Sequence, residues 1–233
     1  MTNKRFIPFR SSLHLPLVLL GLAAALMPTA MAQVPEESSP DRFEASPTSL
    51  DQVVTATDLI EYMKRGDPRG SRGSFNACLV SPGQLGNTDM LWSDRPLFVW
   101  RGQADRIVLE SFDSGEVLWN EEVSALTPED FIYQIPYTGT PLTPGELYSW
   151  RVLRGQDSSD EVLFEVIGGE NRDRISQAMQ QPPLMGNTVE QAKYFVAEGL
   201  WSDAFILLQP EIQESADLNA STTDFIRHLC QVE

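Results

Sequence analysis

The chain has 233 residues, and its 33 Asp and Glu outnumber 17 Lys and Arg to give a formal charge of −16 at pH 7. A field of that sign opposes non-specific nucleic-acid binding and docking on anionic lipid, and mainly favours solubility. With only two histidines and two cysteines, the chain lacks the material for a His/Cys metal cluster, and the cysteines are too far apart for a CxxC redox pair. There is no Gly-x-Ser-x-Gly elbow, Walker loop or dinucleotide-binding glycine turn. The expectation is a protein that is not an enzyme and has no cofactor and no metal.

Residues 1–32 read as a secretory leader. Lys4, Arg5 and Arg10 form its charged front, 15–27 its short apolar core, and Ala30-Met31-Ala32 its small-residue cleavage site. The apolar run is too short to span a bilayer comfortably. After the expected cut comes Gln33, where a lipid anchor would need Cys. No later run is apolar enough to cross a membrane, so an exported protein is expected, periplasmic or extracellular. Such a compartment permits a disulfide between Cys78 and Cys230, although spacing leaves the pairing open. Residues 33–57, rich in Pro, Ser and Glu, read as a flexible linker. Residues 58–75 are an Arg/Gly-rich lead-in, with one or two helical turns over 58–64 and glycines and a proline beyond that oppose regular structure. Lys64, Arg65, Arg69 and Arg72 read there as solvated groups that pair with the chain's own carboxylates.

From 76 to 169 the pattern is strand after strand. Candidates lie at 76–80, 96–100, 106–112, 116–122, 131–135, from Leu147, and at 162–166. In Leu147-Tyr148-Ser149-Trp150-Arg151-Val152, the residues Tyr148, Trp150 and Val152 share one face, which predicts a strand with one buried side. Pro144 and Gly145 make the turn before it. A Tyr placed just after such a turn can bury its ring and return its hydroxyl to the backbone, the corner that fixes a crossover between two sheets. Leu142-x-Pro144-Gly145-x-x-Tyr148 resembles the corresponding stretch of fibronectin type III domains. The expected fold is mainly β: an immunoglobulin/fibronectin III-like antiparallel β-sandwich over 76–169, followed by a small α-helical hairpin region over 170–233.

In the helical region 171–180 reads as a short helix. Thr188-x-x-Gln191 opens a second as a capping box, and Gly199 stops it. Ser202 caps a third, which Pro210 ends or kinks, and a last helix starts near Thr222. The phrase Ala192-x-Tyr194-x-x-x-Glu198-Gly199-Leu200-Trp201-x-x-Ala204 looks like the joint of one tetratricopeptide-type hairpin. One such unit cannot bury its apolar face alone and must pack on the sheets or on a partner.

Taken together, Arg69, Gly70, Arg72, Gly73 and Cys78, then Ser93-Asp94-Arg95-Pro96-Leu97-Phe98, then Leu142-x-Pro144-Gly145-x-x-Tyr148-x-Trp150, then Glu198-Gly199-Leu200-Trp201-Ser202-Asp203-Ala204 are similar to the cyanobacterial domain-of-unknown-function 928 family. The resemblance implies a cyanobacterial cell envelope and a secreted, non-enzymatic protein, and carries no activity. The reading is an interaction module that binds another envelope protein. A carbohydrate-binding module is the first alternative, since strand alternation sends Trp100 and Trp150 to the core and leaves Trp92 and Trp119 as candidate sugar platforms. A carboxylate-dependent hydrolase is the second, because a carboxylate pair is set by fold and not by spacing. Trp201, at the helix joint, is the candidate aromatic anchor for a docked partner. Asp157, Asp160 and Glu161 lack the order of a calcium loop and read as a solvated turn.

Overall fold

The computed structural model describes residues 49–66, 71–72, 77–83, 85, 90–123 and 129–231. The secretory leader, most of the linker, and Arg69, Gly70 and Gly73 of the lead-in lie outside the described residues. A 3-10 turn, Leu50–Gln52, precedes helix α1, Ala56–Lys64. Ten strands follow: β1 Ser71–Arg72, β2 Cys78–Ser81, β3 Met90–Leu91, β4 Leu97–Arg101, β5 Arg106–Ser111, β6 Val117–Glu122, β7 Ile132–Pro136, β8 Leu147–Arg154, β9 Asp157–Ser158 and β10 Val162–Val166. Four helices close the chain: α2 Gly169–Met179, α3 Thr188–Ala197, α4 Trp201–Glu214 and α5 Ala216–Leu229.

The strands form two sheets. One has the order β1-β2-β4-β7, the other β3-β10-β8-β5-β6, with β9 paired to β8. All pairings are antiparallel except that of β3 with β10. The expectation of a wholly antiparallel, mainly β protein therefore needs correction: about 39% of the described residues are helical against 27% in strands. The parallel pair arises because β3 is only two residues long and reaches β10 as a late edge strand, without the tight turn that would impose antiparallel pairing.

Alternation explains how the layers stack. Leu79, Phe98, Trp100 and Tyr133 of the smaller sheet share one core with Ile107, Leu109, Trp119, Tyr148, Trp150, Val152, Phe164 and Val166 of the larger. The residues between them, Cys78, Val80, Leu97, Val99 and Ile132, face the other way into a second core with the helices. The smaller sheet is thus buried on both faces, which is why Leu97, Phe98, Val99 and Trp100 are consecutive buried residues. The larger sheet gives one face to the core. Along β10, Val162, Phe164 and Val166 are buried while Leu163 and Glu165 are exposed.

Several boundaries differ from the sequence expectation. Residues 49–57, assigned to the linker, carry the 3-10 turn, the buried Val53 and the start of α1. Thr55 and Asp58 close a reciprocal capping box there, and Leu59, Ile60 and Met63 join the helical core. The lead-in is not wholly irregular either, because β1 pairs with β2. Asn187, not Thr188, caps α3 through its side chain. Leu200 precedes α4 with no side-chain cap, so Ser202 lies inside the helix. Pro210 does not end α4, which runs on to Glu214. Buried Ala204, Leu208 and Ile212, four residues apart, form a continuous apolar stripe across the proline, so packing outweighs the one lost hydrogen bond. Ser215 caps α5, which starts at Ala216, six residues before the expected start near Thr222.

Candidate functional site

The residues singled out by sequence are mostly committed to internal partners. Trp119 is 9% exposed. It stacks on Phe98 at 5.4 Å and meets Tyr137 edge-on at 5.4 Å, so it is a core residue and not a surface platform. Its burial follows from strand alternation, Trp119 pairing with the inward Leu109 of β5. Trp92 is half-buried, packed on Phe195 and beneath the guanidinium of Arg172, with Nε1 donating to Ser176 Oγ. Trp201 is also half-buried; its Nε1 donates to Val196 O, and its ring fills the space that a side chain at Gly66 would occupy. Cys78 and Cys230 form a disulfide with a Cα separation of 5.7 Å, tying the smaller sheet to the end of α5. His228 is in the last turn of α5. Asp157, Asp160 and Glu161 do not cluster as metal ligands, and no such group is found among the described residues.

Tyr148 makes the expected corner. Its ring is buried, its hydroxyl accepts the Thr143 N–H at 2.8 Å, and it reaches Glu146 Oε2 at 3.1 Å. Gly145 provides the turn with φ of +86°. Burial pushes the Tyr148 phenol up, against the Thr143 hydrogen bonds.

A buried polar joint ties the helices to the sheets. Asp203, in the first turn of α4, is 2% exposed and accepts the backbone N–H groups of Trp92 and Ser93, both at 2.8 Å. Burial pushes its carboxyl up to about 7, although those two N–H bonds and the charge of Arg172 pull the other way. Arg172 of α2 donates to the carbonyls of Trp92 and Ile167 and lies 3.7 Å from Asp94. The Ser93 and Asp203 segments, distant in sequence, therefore meet at one carboxylate. Sequence reasoning missed this role: an Asp in a first turn reads as an exposed partner of the helix dipole.

The open polar groups lie elsewhere, at the lateral side where both sheets end. β6 is the last strand of the larger sheet and β7 of the smaller, and Trp119 of β6 touches Tyr137 just after β7. β6 pairs only with β5 among the described residues. Its register sets Trp119 opposite Leu109 and Glu121 opposite Ile107, and the Val123 N–H donates to Asp105 O. Alternation then turns the Asn120 and Glu122 amides outward, away from β5. Val117 and Leu118 of this strand are 50% and 37% exposed.

Next to the edge is a cavity of about 290 Å³, bounded by the β5–β6 turn and the chain from Tyr137 to Tyr148. Leu118, Glu116, Glu146 and Tyr137 line it. Tyr137 is 5% exposed, and its hydroxyl occupies the space that a side chain at Gly139 would need. Burial pushes this phenol up, while the charge of Arg95, itself held on Gly139 O, pulls it down. Comparisons with protein-family models, curated proteins and solved structures found no match for the chain.

Proposed function

We propose that the protein is a secreted or periplasmic, non-catalytic interaction module that binds another envelope protein by strand addition to β6. In this reading the two sheets are an immunoglobulin/fibronectin III-like β-sandwich, and the chain is a relative of the cyanobacterial domain-of-unknown-function 928 family, as its motifs suggest. The observation that carries it is the β6 edge, six residues long, with outward amides at Asn120 and Glu122 and exposed Val117 and Leu118 alongside. An added strand satisfies such a row of backbone groups, and neighbouring side chains supply selectivity. Trp119 lies in the core and Trp92 carries the Arg172 guanidinium on its ring, which weighs against these two rings as sugar platforms.

Asn120→Pro tests the proposal. Proline removes an outward N–H that β5 does not use, so the hairpin keeps its own bonds. Protein lacking the leader and its Asn120→Pro variant, both shown to be folded, serve as baits on envelope extract, with bound proteins read by mass spectrometry. The expected result is an envelope protein retained by the first and largely lost from the second. Equal recovery of every bound protein contradicts strand addition at β6.

A further inference from the structure

We infer that the outer face of the larger sheet is a second docking surface, which takes a basic amphipathic helix from a partner protein. The inference goes beyond strand addition and does not depend on the β6 edge.

Alternation decides which residues stand on that face. Leu109, Tyr148 and Phe164 point into the core, so Glu110, Leu147, Leu163 and Glu165 point outward. Register then joins the outward side chains. Glu165 pairs with Met90 on one side and with Leu147 on the other. Leu163 pairs with Ser149, two residues along from Leu147. The Phe112 N–H donates to Leu147 O, which carries the β5–β8 register one residue past β5 and sets Phe112 beside Leu147. Val117 pairs with Glu110, two residues before Phe112. Opposed and diagonal side chains of neighbouring strands lie within reach of each other. Met90, Leu163, Leu147, Phe112 and Val117 therefore make one apolar stripe across five strands. Met90, Phe112, Val117 and Leu163 are four of the eight exposed large apolar side chains among the described residues. Such a concentration on one face marks an interaction surface, where scattered single residues would not.

The form of the stripe selects its occupant. A sheet bonds its backbone groups in its own plane, so an element lying on the face must satisfy its own backbone, which a helix does and a strand does not. Five strands about 4.8 Å apart give a stripe of roughly 19 Å, the length of about 13 helical residues. An amphipathic helix presents an apolar stripe of the same kind. Charge sets its flanks. Arg106 pairs with Glu122, and Arg151 with Glu110 and Glu161, whereas the ladder neighbours of Glu165 are both apolar. A Lys or Arg beside the apolar row of the helix answers Glu165, and the overall charge of −16 favours such a partner. The same charge opposes a second copy of this chain on the face.

Labelled, capped helical peptides of about 14 residues test this. All carry one row of Leu, flanked by Lys in one set and by Glu in the other. They are titrated by fluorescence anisotropy with the protein lacking its leader. The Lys peptide is expected to bind about tenfold tighter than the Glu peptide, and Leu163→Thr and Phe112→Thr should each weaken it about tenfold. Thr suits a strand, and Phe112 lies just beyond β5, so that variant carries the test if Leu163→Thr does not fold. Glu165→Gln should narrow the Lys preference. Met185→Ser, at an exposed apolar residue outside the sheets, should change nothing. Absence of binding, equal affinity for both peptides, or stripe variants that bind like wild type overturns the inference. So does a dimer in sedimentation that Leu163→Thr dissolves, which would assign the stripe to a second copy. Asn120→Pro should bind the Lys peptide as wild type does. Loss there would place the peptide on the β6 edge and end the inference, while intact binding leaves it standing even if strand addition fails.

Discussion

The helical layer and the lateral side of the larger sheet solve the same problem in opposite ways. Helices α1, α3, α4 and α5 turn Ile60, Phe195, Phe205 and Phe225 into one closed core. The N-termini of α1, α3 and α5 are finished by the side chains of Thr55, Asn187 and Ser215. Lys64 pairs with Asp224, Arg174 with Glu198, and Arg227 with Asp130, and a disulfide seals the last turn of α5. A helix satisfies its own backbone, so closure needs only caps and packing. A strand does not, and among the described residues β6 is left with outward amides beside exposed Val117 and Leu118. The contrast shifts attention away from the helical tail, where Trp201 suggested a docking face, to the end of a sheet.

The largest effect should come from opening the closed side. Cys78 and Cys230 are 152 residues apart, and constraining so long a loop contributes about 4 kcal/mol. Urea midpoints of Cys78→Ala/Cys230→Ala should fall by an amount of that order. An unchanged midpoint would show that the helical layer does not depend on its seal.

The Asp203 joint comes next. Its folded pKa, about 7, is above the roughly 3.9 of an unfolded Asp, so the folded state binds more protons between these values. The stability tied to this group is fully present below pH ~4 and lost as pH rises towards 7, on the order of 4 kcal/mol. Asp203→Asn cannot titrate. Measured from pH 4 to 8, wild type should lose stability relative to the variant across that window. Parallel curves would mean that the carboxyl titrates normally and that the joint is not desolvated. A smaller effect is expected at the tyrosine corner. Tyr148→Phe leaves the Thr143 N–H without its acceptor and should cost roughly 1–3 kcal/mol, read from the denaturant midpoint. No change would remove the corner from the account.

Much of the sheet region was legible because period-2 patterning is local. Tyr148, Trp150 and Val152 announced β8, and Val162, Phe164 and Val166 announced β10. The short strands β1, β3 and β9 carry too few residues to show a pattern. Helix starts were less legible: Leu200 has no capping side chain, and Pro210 is overridden by Leu208 and Ile212. The membership of α1 in the helical core was hidden for a different reason, since its partners come from the far end of the chain. The joint and the edge share that limit. Asp203 is buried only because the Trp92 and Ser93 amides fold onto it, and β6 is an edge only because of strand order. Neither is a property of a local stretch.

Amide hydrogen exchange on the free protein, resolved residue by residue, tests the open edge most directly. Trp119 and Glu121, whose amides face β5, should be protected, while Asn120 and Glu122 should exchange close to the rate of an unfolded chain. Protection of Asn120 and Glu122 equal to that of their neighbours would mean that β6 is already covered, and would contradict strand addition at this edge.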